Sequence, residues 1–185
     1  MQDLDKLSLE EYLRRLGFDA ETAEMLLTYT TNEIDKNALH EKIKYLISLG
    51  LEPRRIRIVV EEDITFMTEE LSLIIKNAEV LRGYLNREEL IDALEVTPEL
   101  LTVKEGNVAE NIKLLRILIS DVETLKVILL DKGEILTYSP KYLSERLSFL
   151  VENDLKDKIV KILIEETDIF DLDVDEIDLE YLKKL

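Results

Sequence analysis

Three aspartates, Asp171, Asp173 and Asp175, alternate in the C-terminal stretch DIFDLDVDEIDLEYLKKL. A calcium loop opens with this spacing, because it takes carboxylate oxygens at its first, third and fifth positions. Such a loop also needs glycine at its sixth position and a bidentate glutamate at its twelfth. Here those positions hold Glu176 and Leu182. Leu172, Val174, Ile177 and Leu179 interleave the acids, so the stretch reads as packing positions alternating with solvated carboxylates. No metal is expected from it.

The other chemistry-bearing residue types are sparse. There is one histidine, His40 in NALHEKIKYL, and no second ligand-rich stretch flanks it. A half-buried or surface helix residue is the reading that follows. With no cysteine, disulfides and thiolate metal sites are excluded, and a reducing, cytoplasmic compartment is expected. No phosphate-binding loop, dinucleotide glycine motif or nucleophile elbow is present. Paired carboxylates are too common here to single out a catalytic dyad, so no enzyme and no cofactor is implied. Tyr138 and Tyr142 flank Ser139-Pro140 and form one candidate spot for a partner.

The basic residues are the remaining candidates. Arg54, Arg55 and Arg57 cluster in one helical turn, and Lys76, Arg82, Lys113, Arg116 and Arg146 fall on later helical segments. Together they could line one side of a surface and meet phosphates. The competing reading pairs them with the abundant acids, among them Glu61, Glu62, Glu69, Glu70, Glu88 and Glu89, as surface ion pairs. The charge balance favours pairing. The 185 residues carry 41 acids against 24 bases, a net charge of −17. Such a chain is self-repelling and is repelled on average by nucleic acid and anionic membranes. No apolar run approaches the ~20 residues of a membrane span. The N-terminal MQDLDKLSLEEYL has no basic region, apolar run or small-residue cleavage site, so no targeting segment is expected.

These residues must be positioned by helices. Charged residues make up 35% of the chain and hydrophobic ones 46%, while five glycines and three prolines leave no composition for a flexible linker. Ile112, Leu115 and Ile119 share a helical face, as do Leu143, Leu147 and Leu150, and Leu125, Ile128 and Leu129. Start and stop signals punctuate the segments. Gly50 suits a left-handed helix end, and Pro53 the first turn of the next helix. Asn86 with Glu89 makes a capping box, and Asp121 and Ser139-Pro140 are further caps. RIRIVV, residues 55–60, has a strand-like composition, but Pro53 opens it as a helix.

The segments repeat. Leu16-Gly17-Phe18 aligns with Leu49-Gly50-Leu51, and Met25-Leu26 with Ile58-Val59, at a shift of about 33 residues. An apolar pair recurs beyond each second helix: Phe66-Met67, Leu100-Leu101, Ile135-Leu136 and Ile169-Phe170. In VTPELLT the pair follows Pro98, which would start a 3₁₀ turn, with Asp63 and Gly133 as turn-compatible substitutes. The turn would plug the groove between units, each anchor contributing about 1.5–3 kcal/mol.

LISLGL, TPELLT and ILTYSPKYLSERLSFL together resemble the mitochondrial transcription termination factor (mTERF) family, over about residues 13–170. That resemblance implies units of two antiparallel helices and a 3₁₀ turn, arrayed as a curved solenoid whose concave basic face binds nucleic acid. The chain is therefore expected to be all-α, a right-handed helical-repeat solenoid of units of about 33–35 residues. The expected units are roughly 7–36, 37–70, 71–106, 107–140 and 141–173, with an acidic cap at 174–185. Because only Pro98 keeps the proline and the basic character is missing, the functional expectation is a non-enzymatic scaffold for a protein partner. Nucleic-acid binding is the alternative.

Overall fold

The computed structural model describes residues 8–29 and 35–185. The N-terminal residues read above for targeting, and the junction closing the expected first unit, lie partly outside them. Eleven α-helices and five 3₁₀ turns are present among the described residues, with no strand. Helices α1 (Leu9–Arg15) and α2 (Ala20–Tyr29) open the chain. Then come α3 (Lys36–Leu49) and α4 (Pro53–Glu62), α5 (Leu71–Arg82) and α6 (Arg87–Val96), α7 (Asn107–Leu118) and α8 (Val122–Asp131), and α9 (Pro140–Glu152) and α10 (Ile159–Glu165). A single turn, α11 (Leu179–Leu182), ends it. Each of the four middle pairs is followed by a 3₁₀ turn, at Ile64–Met67, Pro98–Leu101, Gly133–Leu136 and Thr167–Phe170.

The helices begin and end where local chemistry dictates. Gly50 closes α3 at φ 106°, a left-handed conformation. Pro53 lies in the first turn of α4, and the RIRIVV segment is helical. Asn86 accepts from the amides of Glu88 and Glu89 while Glu89 accepts from the Asn86 amide. Asp121 and Ser139 cap α8 and α9. Asp63 precedes its turn rather than opening it: its carboxylate accepts from the Thr65 amide at 3.0 Å and from the Thr102 hydroxyl of the next unit.

Packing follows the repeat. α3 packs on α5, α5 on α7 and α7 on α9, making a layer of first helices. α4 packs on α6, α6 on α8 and α8 on α10, making a layer of second helices. The core between them is apolar, with Leu46, Leu81, Leu115 and Leu150 at equivalent positions and all buried. The turn anchors are buried as the repeat requires, except that Ile169 is half-buried. Adjacent turns touch at Gly133, where an added Cβ would lie 2.9 Å from the Thr97 hydroxyl oxygen and 3.0 Å from a Leu100 methyl. Glycine is required there by close approach.

One polar column runs through this core. Lys42, Asn77, Asn111 and Arg146 are buried at the same position of successive first helices. The Lys42 ammonium donates to the carbonyls of Phe66, Met67 and Glu69 at 3.0, 2.7 and 2.8 Å. Asn77 donates to those of Leu101 and Val103 at 3.1 and 2.8 Å, and Asn111 to those of Leu136 and Tyr138 at 3.0 and 2.8 Å. Each first helix is thereby clasped to the turn that ends its own unit. A 3₁₀ turn leaves its last carbonyls without helical partners, and buried carbonyls need donors. In the last unit the clasp is indirect: Arg146 donates to the Tyr142 hydroxyl at 2.8 Å, which donates to the Phe170 carbonyl at 2.5 Å.

Candidate interaction surfaces

The eight basic candidates do not gather into one strip. Arg54, Arg55 and Arg57 are on α4, in the second-helix layer; the rest are in the first-helix layer. Most are neutralised. Arg55 meets Asp92 and Glu95 of α6 at 2.7 and 3.1 Å. Arg57 lies 3.5 Å from Glu61 and donates to the Gly17 carbonyl at 3.3 Å, tying α4 to the corner between α1 and α2. Lys76 pairs with Glu105 at 2.8 Å, Arg82 with Glu79 at 2.6 Å and Lys113 with Glu110 at 2.6 Å. These are exposed contacts, each worth about 0–1 kcal/mol. Arg54 and Arg116 are exposed and have no carboxylate partner among the described residues. Arg146 is a correction. It is 9% exposed and stacks on Tyr142 at 4.9 Å, so it is a core residue and not part of a basic surface.

Charge is nonetheless unevenly spread. Outside the core, α3, α5 and α7 each hold more bases than acids, with Lys36 and Lys44 against Glu41, Lys76 and Arg82 against Glu79, and Lys113 and Arg116 against Glu110. The net negative charge comes from the terminal segments, the turns and α6, so the first-helix face is the least acidic part of the molecule.

That face also holds an apolar groove. Between α7 and α9, Leu114, Ile117 and Leu118 face Leu147 and Val151 across a cavity of about 260 Å³. Ile117 is 77% exposed, an unusual place for a large aliphatic side chain in a chain this charged. Ser144, Ser148 and Glu152 form its α9 rim. The groove was not foreseen from sequence. It depends on which faces of two helices some 35 residues apart lie side by side.

The remaining candidates have structural occupations. His40 accepts from or donates to the Tyr12 hydroxyl at 2.8 Å, with the rings edge to face, so it docks α1 on α3. Burial, then Glu41, pushes the Tyr12 hydroxyl up to about 12. Tyr138 and Tyr142 reach the last turn: Tyr138 donates to Asp171 at 2.5 Å, and burial followed by that carboxylate pushes its hydroxyl well above the usual range. Asp171 is thus a hydrogen-bond acceptor, Asp173 and Asp175 are exposed, and no group of three His, Cys, Asp or Glu side chains converges among the described residues. No described helix is long and apolar enough to cross a membrane.

Compared with known proteins, the sequence profile of the mTERF family matches residues 7–176. No protein in the curated collection of characterised sequences matches the chain.

Proposed function

The chain belongs to the mTERF family, and from that premise we propose that it is a non-enzymatic helical-repeat scaffold whose partner is a protein. The groove between α7 and α9 carries this reading. Its occupant is an amphipathic helix, with an apolar stripe against Ile117 and Val151 and a basic flank that meets Glu152 on the rim. Local charge supports that choice, since Glu152 is the one charged side chain among the described residues lining the groove and a basic group on the partner helix would pair with it. A cysteine-free chain suits a cytoplasmic location, which belongs to the same proposal. A photo-crosslinking residue at position 117 of the full chain should trap a protein in the cells that make it, whereas one at the exposed Lys161 should not. Equal yields at both positions, or adducts with nucleic acid alone, would sink the proposal.

A second reading has its own support. Members of the family typically bind nucleic acid, and the basic excess of α3, α5 and α7 survives in an acidic chain. In that case a gel shift with DNA or RNA would weaken steeply with salt. Lys76→Glu and Arg116→Glu would each weaken it further. No shift at modest ionic strength would remove this reading.

A further inference from the structure

The groove between first helices is built more than once, with different chemistry. Between α7 and α9 it is apolar. Between α3 and α5 it extends to the start of α6, and it is a polar cleft of about 460 Å³ bounded by Tyr45, Ser48, Arg82, Asn86 and Arg87. Leu114 corresponds to Tyr45, Ile117 to Ser48, and Val151 to Arg82. At Tyr45, Ser48 and Arg82 packing alone therefore does not require polar groups, because the same architecture closes with aliphatic ones; Asn86 and Arg87 have no counterpart in the apolar groove. The volume lies within the range of small-molecule sites, about 300–1,000 Å³.

Three features of the cleft point to an oxyanion. Arg87 uses Nε to donate to the Leu49 carbonyl at 2.9 Å, which holds the guanidinium over Gly50 and against the end of α3. It has no carboxylate partner among the described residues, in a chain where acids greatly outnumber bases. Among the described residues Arg82 is held only by the exposed Glu79, a contact that another anion can replace. The Tyr45 hydroxyl is buried without a hydrogen-bond partner among the described residues, and burial followed by Glu79 raises its pKa, so it stays a donor across the neutral range. Ser48 adds a second hydroxyl, which at present donates to the Tyr45 carbonyl at 2.7 Å. Two planar guanidinium forks and an unpaired hydroxyl match a group with several acceptor oxygens and a charge near −2, as a phosphate monoester has.

We propose that the cleft between α3 and α5 binds the phosphoryl group of a small phosphate ester or diphosphate, held by Arg82 and Arg87 and oriented by Tyr45. The site is separate from the α7–α9 groove, and it stands whether or not a protein occupies that groove. Calorimetric titration of the full chain with inorganic pyrophosphate tests it. One saturable site per chain is expected. Arg82→Gln, which breaks no contact to the backbone, should weaken binding at least tenfold, and Tyr45→Phe a few-fold. Arg87→Gln should also weaken it at least tenfold, with a melting curve recorded beside it because Arg87 caps α3. Arg54→Gln, at an exposed position outside the cleft, should leave binding unchanged. Absence of saturation, or equal weakening by Arg54→Gln, overturns the proposal. So does binding of DNA or RNA oligomers with none of pyrophosphate, which would assign these arginines to a nucleic-acid backbone.

Discussion

At the scale of single residues, the informative ones are those whose surroundings leave little choice. Tyr12 keeps its proton up to about pH 12 in the folded protein, while its unfolded value is 10.0. Between those values the unfolded chain loses the proton and the folded one retains it, so deprotonation pulls the equilibrium toward unfolding. The Tyr12 contribution is therefore intact below pH 10, falls as pH rises toward 12, and amounts to on the order of 2 kcal/mol. In urea unfolding, Tyr12→Phe should lose less stability than wild type across that window. Parallel curves would show that the buried hydroxyl is not responsible. Gly133 makes a different point. Its Cβ position is occupied by Thr97 and Leu100 of the preceding unit, so Gly133→Ala should cost about 1–3 kcal/mol by overpacking. An unchanged melting temperature would mean that the two turns separate freely.

At the scale of elements, the decisive one is the 3₁₀ turn with its clasp. Leu100 is fully buried in the Pro98–Leu101 turn. Leu100→Asp puts an unpaired carboxylate there and should cost more than about 4 kcal/mol, enough to abolish a cooperative melt. A melt like that of wild type would show that the turn is not what joins the units. Asn77→Leu keeps the volume but strips donors from the carbonyls of Leu101 and Val103. It should lower stability by about 1–3 kcal/mol, read as a shift in the urea midpoint. The turns and caps were legible in the sequence because their physics is local. Proline, glycine and the Asn86–Glu89 box act within a few residues. The clasp was not, because its residue type changes from lysine to asparagine to arginine while its position stays constant. Asn77 and Asn111, alike and one unit apart, were the available signal. Arg146 looks like a surface base in the sequence until its column-mates Lys42, Asn77 and Asn111 are set beside it.

At the scale of the whole molecule, the charge decides behaviour that no single pair controls. The net charge of −17 repels itself across the array, whereas exposed ion pairs such as Lys76–Glu105 and Lys113–Glu110 contribute little. Raising ionic strength from about 0.01 M to about 0.15 M shortens the screening length from about 30 Å to about 8 Å. The melting temperature should therefore rise with salt; a fall would mean that the ion pairs outweigh the repulsion. The array was legible from its period, and the all-α composition limited the alternatives. The two grooves were not, since Ile117 and Arg82 look like ordinary surface residues until their neighbours from the next unit are known.

The clasps reach from each first helix to the turn of its own unit and stop there. Lys42, Asn77 and Asn111 bridge about 25 residues of chain, roughly three quarters of a unit. Closing such a loop is entropically cheap, so each hairpin can form before its neighbours arrive, and assembly can spread from whichever unit closes first. The same economy acts over generations. A duplicated or deleted unit brings or removes its own fastening, so the array can lengthen or shorten by whole units without leaving a broken contact inside those that remain.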